Sequence, residues 1–270
     1  MIRTPEIRIE RIGYAWSDGP SDFWALAKAA LADVRSDASL PAASFGGVIA
    51  ATFSNPDRFP SLAVRVAAEL NLPKHIPAFD LQLACSAYPY AVYLAGRLAA
   101  DTGKRVLVVN GDVQSALVDP NDHATGAIFS NALTCSVVSA SSSGESSFAF
   151  LSQYDRALQC PAAGPIRMDG MKVFTFVATE VRTLLADFLA ALPEATACSF
   201  VPHQAQPYMV RQLATSLALR SQLVTLDEAF KNPGSASIPL TLATRGVKGD
   251  VLIAGFGAGY SAAVGKVKVL

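Results

Sequence analysis

Two stretches of this chain repeat one plan. ACSAY (84–88) opens a helix-like run that stops at Gly103, and the β-type segment VLVVNGD (106–112) follows it. Far downstream, NPGSAS (232–237) opens a second such run, IPLTLATRG (238–246), followed by VLIAGFG (251–257). A small-residue loop, a helix and a buried strand make one αβ unit. Its recurrence predicts a duplicated α/β chain with strands carried between helical layers. It also places Cys85 and Asn232 near a pseudo-twofold axis where equivalent helix N-termini meet. An ordinary three-layer fold fits the same alternation. Of the 270 residues, 51% are hydrophobic and 16% charged, which suits many elements buried on both faces, in one large domain or two fused halves.

The rest of the chain reads in the same way. Residues 2–12 alternate as a strand. Ser21 and Asp22 cap a helix that carries Phe23, Leu26, Ala27, Ala30 and Leu31. Strand runs are expected at 46–53, 76–83 and 197–203, and helices at 60–70, 171–192 and 206–219, the last with Pro207 near its start. Residues 123–140 read as a turn or short helix leading into a strand. SSSGESS (141–147) reads as a surface linker or hairpin tip. The final segment, from Asp250, reads as two strands joined by a glycine-rich turn.

Several function classes fall away. Lys plus Arg equals Asp plus Glu at 22 each, so no bulk charge draws nucleic acid or an anionic membrane. The N-terminal residues lack the basic, apolar and small-residue order of a signal peptide, and no run is long enough for a membrane span, so cytoplasm is the expected location. Cys85, Cys135, Cys160 and Cys198 are widely spaced with no CxxC pair, which predicts free thiols and no metal site. His75 and His123 have contexts that suit surface residues. GFGAG (255–259) lacks the GxGxxG order and the following lysine of a nucleotide loop.

Five segments in order carry a family signature: DLQLACSAYPYA (80–91), MDGMKVFTF (168–176), FVPHQAQ (200–206), NPGSASIPL (232–240) and GFGAGYS (255–261). With them the chain resembles the thiolase superfamily, and within it the ketoacyl-synthase III group. The resemblance implies a five-layer αβαβα duplication, with residues 1–150 as the half carrying the nucleophile and 151–270 as the half carrying the histidine and asparagine. It implies Cys85 as the acyl-accepting nucleophile, His203 and Asn232 as its catalytic partners, and the backbone amides of Cys85 and Ala258 as an oxyanion hole. A homodimer, or a heterodimer with a related synthase, is the implied assembly. Coenzyme A or phosphopantetheine thioesters are the implied substrates, and no permanently bound cofactor is expected.

These residue types suit that chemistry. Cysteine holds an acyl group as a thioester, and the first turn of a helix offers free amides that favour its thiolate. A histidine and an asparagine can polarise a thioester carbonyl and stabilise an enolate formed by decarboxylation. Each also has a plain structural role: Cys85 as a buried thiol, His203 as a loop residue, Asn232 as a helix cap. Tyr88, Gln206, Tyr208 and Arg211 are candidate pocket or carrier contacts, with Tyr90 beside Tyr88.

The chain departs from the family pattern in places. Only WSDGPS (16–21) joins the first strand to the first helix, where relatives carry a longer insert that covers the pocket. SNALT (130–134) replaces an Asp-Gly-Ala-Gly run, Gln206 replaces an asparagine, and Tyr208 replaces an arginine. The expected activity is therefore a condensing enzyme of specialised, polyketide- or fatty-acid-like biosynthesis that accepts an acyl group on Cys85 and joins it to a malonyl-type acceptor. Two alternatives are acyl transfer from the same cysteine to an amine, hydroxyl or water, and a non-catalytic partner of a full-length synthase.

Overall fold

The computed structural model describes every residue except Pro120, His123, Ala124 and Ala163, so the surface position expected for His123 lies outside the described residues. The N-terminal part runs β1 (Ile2–Ser17), α1 (Phe23–Ser36), β2 (Phe45–Ala51), α2 (Leu62–Glu69), β3 (Ala78–Leu81), α3 (Ala87–Thr102), β4 (Arg105–Asp112) and β5 (Asn131–Ser152). A small hairpin, β6 (Leu158–Gln159) and β7 (Arg167–Met168), follows. Then come α4 (Gly170–Phe176), a π-helical turn at Val177–Val181, α5 (Arg182–Ala191), β8 (Ser199–Pro202), α6 (Pro207–Ser216), α7 (Ser237–Thr244), β9 (Gly249–Gly257) and β10 (Ser261–Val269).

Eight strands hydrogen-bond in the order β3-β2-β4-β5-β1-β10-β9-β8, with β5 also pairing to β10. The connectivity is doubled. β3-β2-β4-β5-β1 on one side is answered by Leu223 (a bridge to Phe200), β8, β9, β10 and the second half of β5 on the other. Side chains alternate along each strand and so sort into layers. Val106 and Val108 of β4, and Val251 and Ile253 of β9, join a central core with Ala91 and Ala95 of α3 and Ile238 of α7. Leu107 and Val109 face an outer core under α1 and α2, while Leu252 and Ala254 face another under α4 to α6. Helices α3 and α7 are thus enclosed between two sheet halves, giving the five-layer thiolase-like α/β arrangement.

Local chemistry sets the helix ends. The Asp22 carboxylate accepts the Ala25 N–H at 2.7 Å, and the Ser61 hydroxyl caps α2. Gly103 ends α3 at φ 64°, where a side chain would be strained. His75 is exposed, as expected.

The serine-rich run behaves differently from expectation. Residues 141–147 lie within β5 and are not a linker. They form strand because β1 supplies the ladder, with Ser146 Oγ accepting the Ile7 N–H at 2.9 Å, while a register shift lets 142–144 bulge outward. The 150/151 boundary expected between halves falls inside this same strand, which serves both.

Candidate active site

Residue 84 sets the geometry around Cys85. Ala84 adopts φ 44°, a conformation that L-residues rarely take, and the chain turns from β3 into a short 3-10 turn (Ala84–Ser86) that leads into α3. Cys85 therefore sits at the point where the chain enters the central helix. The turn is braced by Ser86, whose hydroxyl meets Leu83 O at 2.8 Å and Ser261 Oγ at 2.6 Å. Ser261 Oγ in turn donates to Ala258 O at 2.8 Å, tying the glycine-rich turn between β9 and β10 to the turn that carries Cys85. A Cβ at Gly257 would lie 2.8 Å from Cys85 Cβ, and one at Gly255 would lie 2.9 Å from Ser86 O. The glycines are there because two backbones approach closely, not to cradle a phosphate.

His203 follows β8 and is buried. Its backbone N–H bonds Ala254 O at 2.7 Å, and Nδ1 pairs with Ser237 Oγ at 2.8 Å. Ser237 also accepts the Gln204 N–H at 3.2 Å. With Nδ1 occupied, Nε2 is the nitrogen left for a ligand. Asn232 precedes the 3-10 turn that opens α7. Its Oδ1 accepts the Gly234 N–H at 3.0 Å, and its Nδ2 donates to Ala205 O at 3.3 Å. Those two bonds orient the amide and leave one N–H uncommitted.

Cys85, His203 and Asn232 line one cavity of about 490 Å³, walled by apolar side chains that include Phe129, Met168, Val173, Phe174 and Phe256. Its far end carries the exposed Met171 and Tyr208. Cys85 and Phe129 are shared with a larger cavity of about 1180 Å³ that is also lined by Leu117, Ile166, Ala258 and Tyr260. Cys85 thus stands between two spaces, one facing His203 and Asn232, the other facing Ala258. The two helix N-termini expected to meet do so at this cavity.

Burial governs the proton affinities. It pushes the Cys85 thiol up to about 12, with the Asp112 carboxylate adding to the rise and the residue's own backbone N–H opposing it. The low-pKa thiolate expected from the helix N-terminus is therefore outweighed by desolvation. Burial drives His203 down to about 4, against an upward pull from the Gly234 backbone, so the ring is neutral near pH 7. A neutral thiol faces a neutral imidazole.

Two residues that sequence reasoning left unassigned matter here. Asp112 ends β4 fully buried. Its Oδ1 accepts from Thr52 Oγ1 (2.8 Å), Phe53 N (2.8 Å) and Ser54 N (3.1 Å), while Oδ2 has no partner among the described residues. Burial raises its pKa to about 6. A lone acid closing an apolar run was the available signal. Ser237 lay inside a quoted motif, but nothing in the sequence showed that its hydroxyl would reach His203.

The remaining candidates separate. Gln206 lines the smaller cavity and caps α6, accepting the Met209 N–H at 2.9 Å. Tyr208 lines the same cavity near its exposed end. Arg211 lies further along α6 and pairs with Glu228 at 3.6 Å. Tyr88 is not a pocket residue. It is fully buried in the central core with its hydroxyl on Ser136 Oγ at 3.0 Å, because α3 turns that face toward the sheet. Tyr90 bonds Leu151 O and Ala262 O and packs on Phe150; it lines neither cavity, although its hydroxyl meets Ser152 Oγ, on the wall of the larger one, at 3.2 Å.

Comparison with known proteins identifies the family and the fold. The sequence model of 3-oxoacyl-[acyl-carrier-protein] synthase III matches residues 79–155. A β-ketoacyl-[acyl-carrier-protein] synthase III of Deinococcus radiodurans is 31% identical over 242 residues, covering 79% of this chain and 70% of the relative. One from Neisseria meningitidis is 31% identical over 237 residues, covering 79% and 74%. Among solved structures, a 3-oxoacyl-(acyl-carrier protein) synthase from Burkholderia xenovorans superposes with a TM-score of 0.88 at 24% identity, covering 99% of this chain and 95% of that one. The synthase III of Pseudomonas aeruginosa gives 0.85 at 25% identity and 98% of each chain. Among the described residues no helix is long and apolar enough to cross a membrane. With a doubled thiolase-like fold and relatives matched over most of their length, this chain belongs to the β-ketoacyl-[acyl-carrier-protein] synthase III family of the thiolase superfamily.

Proposed function

We propose that this protein is a condensing acyltransferase that loads an acyl group from a coenzyme A or carrier-protein thioester onto Cys85 and joins it to a malonyl-type acceptor. One observation carries the reading: Cys85, His203 and Asn232 converge on a single apolar cavity, and Cys85 alone among them also opens on a second, larger one. The first space suits a pantetheine arm and the second an acyl chain.

In the first step Cys85 Sγ attacks the thioester carbonyl and its proton passes to His203 Nε2. The C–S bond to the carrier breaks, and the departing thiolate takes that proton. The backbone N–H groups of Cys85 and Ala258 hold the oxyanion. In the second step a malonyl-type thioester sets its carbonyl oxygen against the free Asn232 N–H and the His203 edge. Carbon dioxide leaves, and the resulting enolate carbon attacks the acyl carbonyl. The C–Sγ bond breaks, and Cys85 regains a proton from solvent. The apolar walls exclude water from the thioester and strengthen each polar contact.

An edge strand with Phe79 exposed, and Tyr154 exposed at the larger cavity, fit a face covered by a second copy or a related synthase. The test is intact-mass analysis after incubation with a panel of acyl thioesters, for wild type and Cys85→Ala, followed by labelled malonyl thioester. An acyl adduct on wild type alone, then carbon dioxide release and loss of the adduct, is the expected result. An adduct cleared without carbon dioxide release would reassign the chain to plain acyl transfer. No adduct with any donor would remove the catalytic reading.

A further inference from the structure

Two of the places where this chain departs from its family pattern, 16–21 and 130–134, meet one another in space. Lys231, immediately before Asn232, adopts φ 54° and ψ −140°, a conformation that a non-glycine residue holds only when its surroundings impose it. Those surroundings come from the end of β1, the short loop after it and Ser130. Phe230 O, one residue earlier, accepts from Ser130 Oγ at 2.6 Å and from Trp16 Nε1 at 3.3 Å. The Trp16 and Phe230 rings meet edge to face, with centroids 5.0 Å apart. Lys231 Nζ reaches Asp18 Oδ1 at 2.6 Å. The loop is itself held, because Asn131 Nδ2 donates to Gly19 O at 2.6 Å while its Oδ1 accepts the Ser115 N–H at 2.9 Å.

Asn232 is the next link. Its backbone N–H bonds Ile128 O at 3.1 Å, and its carbonyl accepts the Ser130 N–H and Gln114 Nε2, each at 3.1 Å. The turn that aims the Asn232 side chain is thus gripped by Gln114 and the segment 128–130, which leads into β5, on one side and by residues 16–19 on the other. We infer that Trp16, Asp18 and Asn131 form a clamp of positioning residues for Asn232. The clamp acts on the step that Asn232 serves and leaves acylation of Cys85 alone. In this respect it rests on the proposed reaction. None of the three lines the cavity that holds Cys85, His203 and Asn232. Asn131 must be an amide, since a carboxylate there would turn a second acceptor toward Gly19 O.

The test separates the two half-reactions in Asp18→Asn, Asn131→Asp and Trp16→Phe. Acyl adduct formation on Cys85 should stay within about twofold of wild type, while carbon dioxide release from the malonyl thioester falls about tenfold or more, as a misplacement near 1 Å implies. Lys231→Gly, which accepts the backbone conformation without an anchor, should keep most of the second-step rate, and Lys231→Ala should lose it. Equal losses in both steps, equal behaviour of the two Lys231 variants, or wild-type rates throughout would overturn the clamp. Amide exchange across 228–236 reads it without activity: faster exchange in Asp18→Asn and Asn131→Asp supports it, and unchanged exchange overturns it. A wild type that takes no acyl adduct would refute the reaction, and the exchange result would still decide the clamp.

Discussion

Gly257→Ala tests the close approach that builds the environment of Cys85, the proposed nucleophile. The added methyl carbon would sit 2.8 Å from Cys85 Cβ and 3.6 Å from Sγ. Carbon atoms pack at roughly 3.5–4.0 Å, so one of the two backbones must move by about 0.7–1.2 Å. No flexible side-chain end is available to yield, because Cys85 is held at a left-handed residue and a 3-10 turn braced by Ser86 and Ser261. Overpacking of this kind costs about 1–3 kcal/mol, which for a chain of this length lowers the melting temperature by about 2–5 °C. The displacement of Sγ should slow acylation about a hundredfold. Stopped-flow mixing with an acyl thioester, quenched and read by intact mass, measures the rate, and thermal unfolding reports the stability. A Gly257→Ala protein that acylates at the wild-type rate would refute the argument that this glycine exists to let β9 touch the nucleophile.

Asp112→Asn should stabilise the protein at pH 7–8. The folded carboxyl, at about 6, binds its proton more tightly than the unfolded one near 3.8, so wild-type stability falls as pH rises from about 4 to about 6 and then levels. The gap corresponds to about 3 kcal/mol at most, and urea unfolding at pH 4 and pH 8 should show the variant's advantage only at the higher pH. With its pKa near 12, Cys85 should be alkylated by iodoacetamide at a rate that climbs about tenfold per pH unit up to pH 10. Peptide-resolved mass spectrometry follows that site, and a plateau below pH 9 would refute burial as the controlling influence. Tyr88→Phe should cost about 1 kcal/mol through the orphaned Ser136 hydroxyl, with no change in acyl-chain preference. A shifted preference would return Tyr88 to the pocket.

What the sequence determined by itself was local or repetitive. The doubled unit was legible because a buried strand must be apolar and a helix opening must be small, whatever surrounds them. Cys85, His203 and Asn232 stood out because their short motifs resemble those of the ketoacyl-synthase III group; local chemistry alone left each of them a plain structural role. Caps such as Asp22 and Gly103 were legible because their spacing to a helix end is a local property. The tertiary structure decided whatever depends on which surfaces meet. The serines of 141–147 are strand because β1 lies beside them, a partnership 139 residues apart at Ile7 and Ser146. Tyr88 is core and not pocket because of the face that α3 turns inward. The proton affinity of Cys85 was decided by burial beside Asp112, which outweighs the helix N-terminus favoured by its sequence position. The grip of Trp16 and Asp18 on the turn before Asn232 joins residues more than 200 positions apart, and no periodicity encodes such a contact.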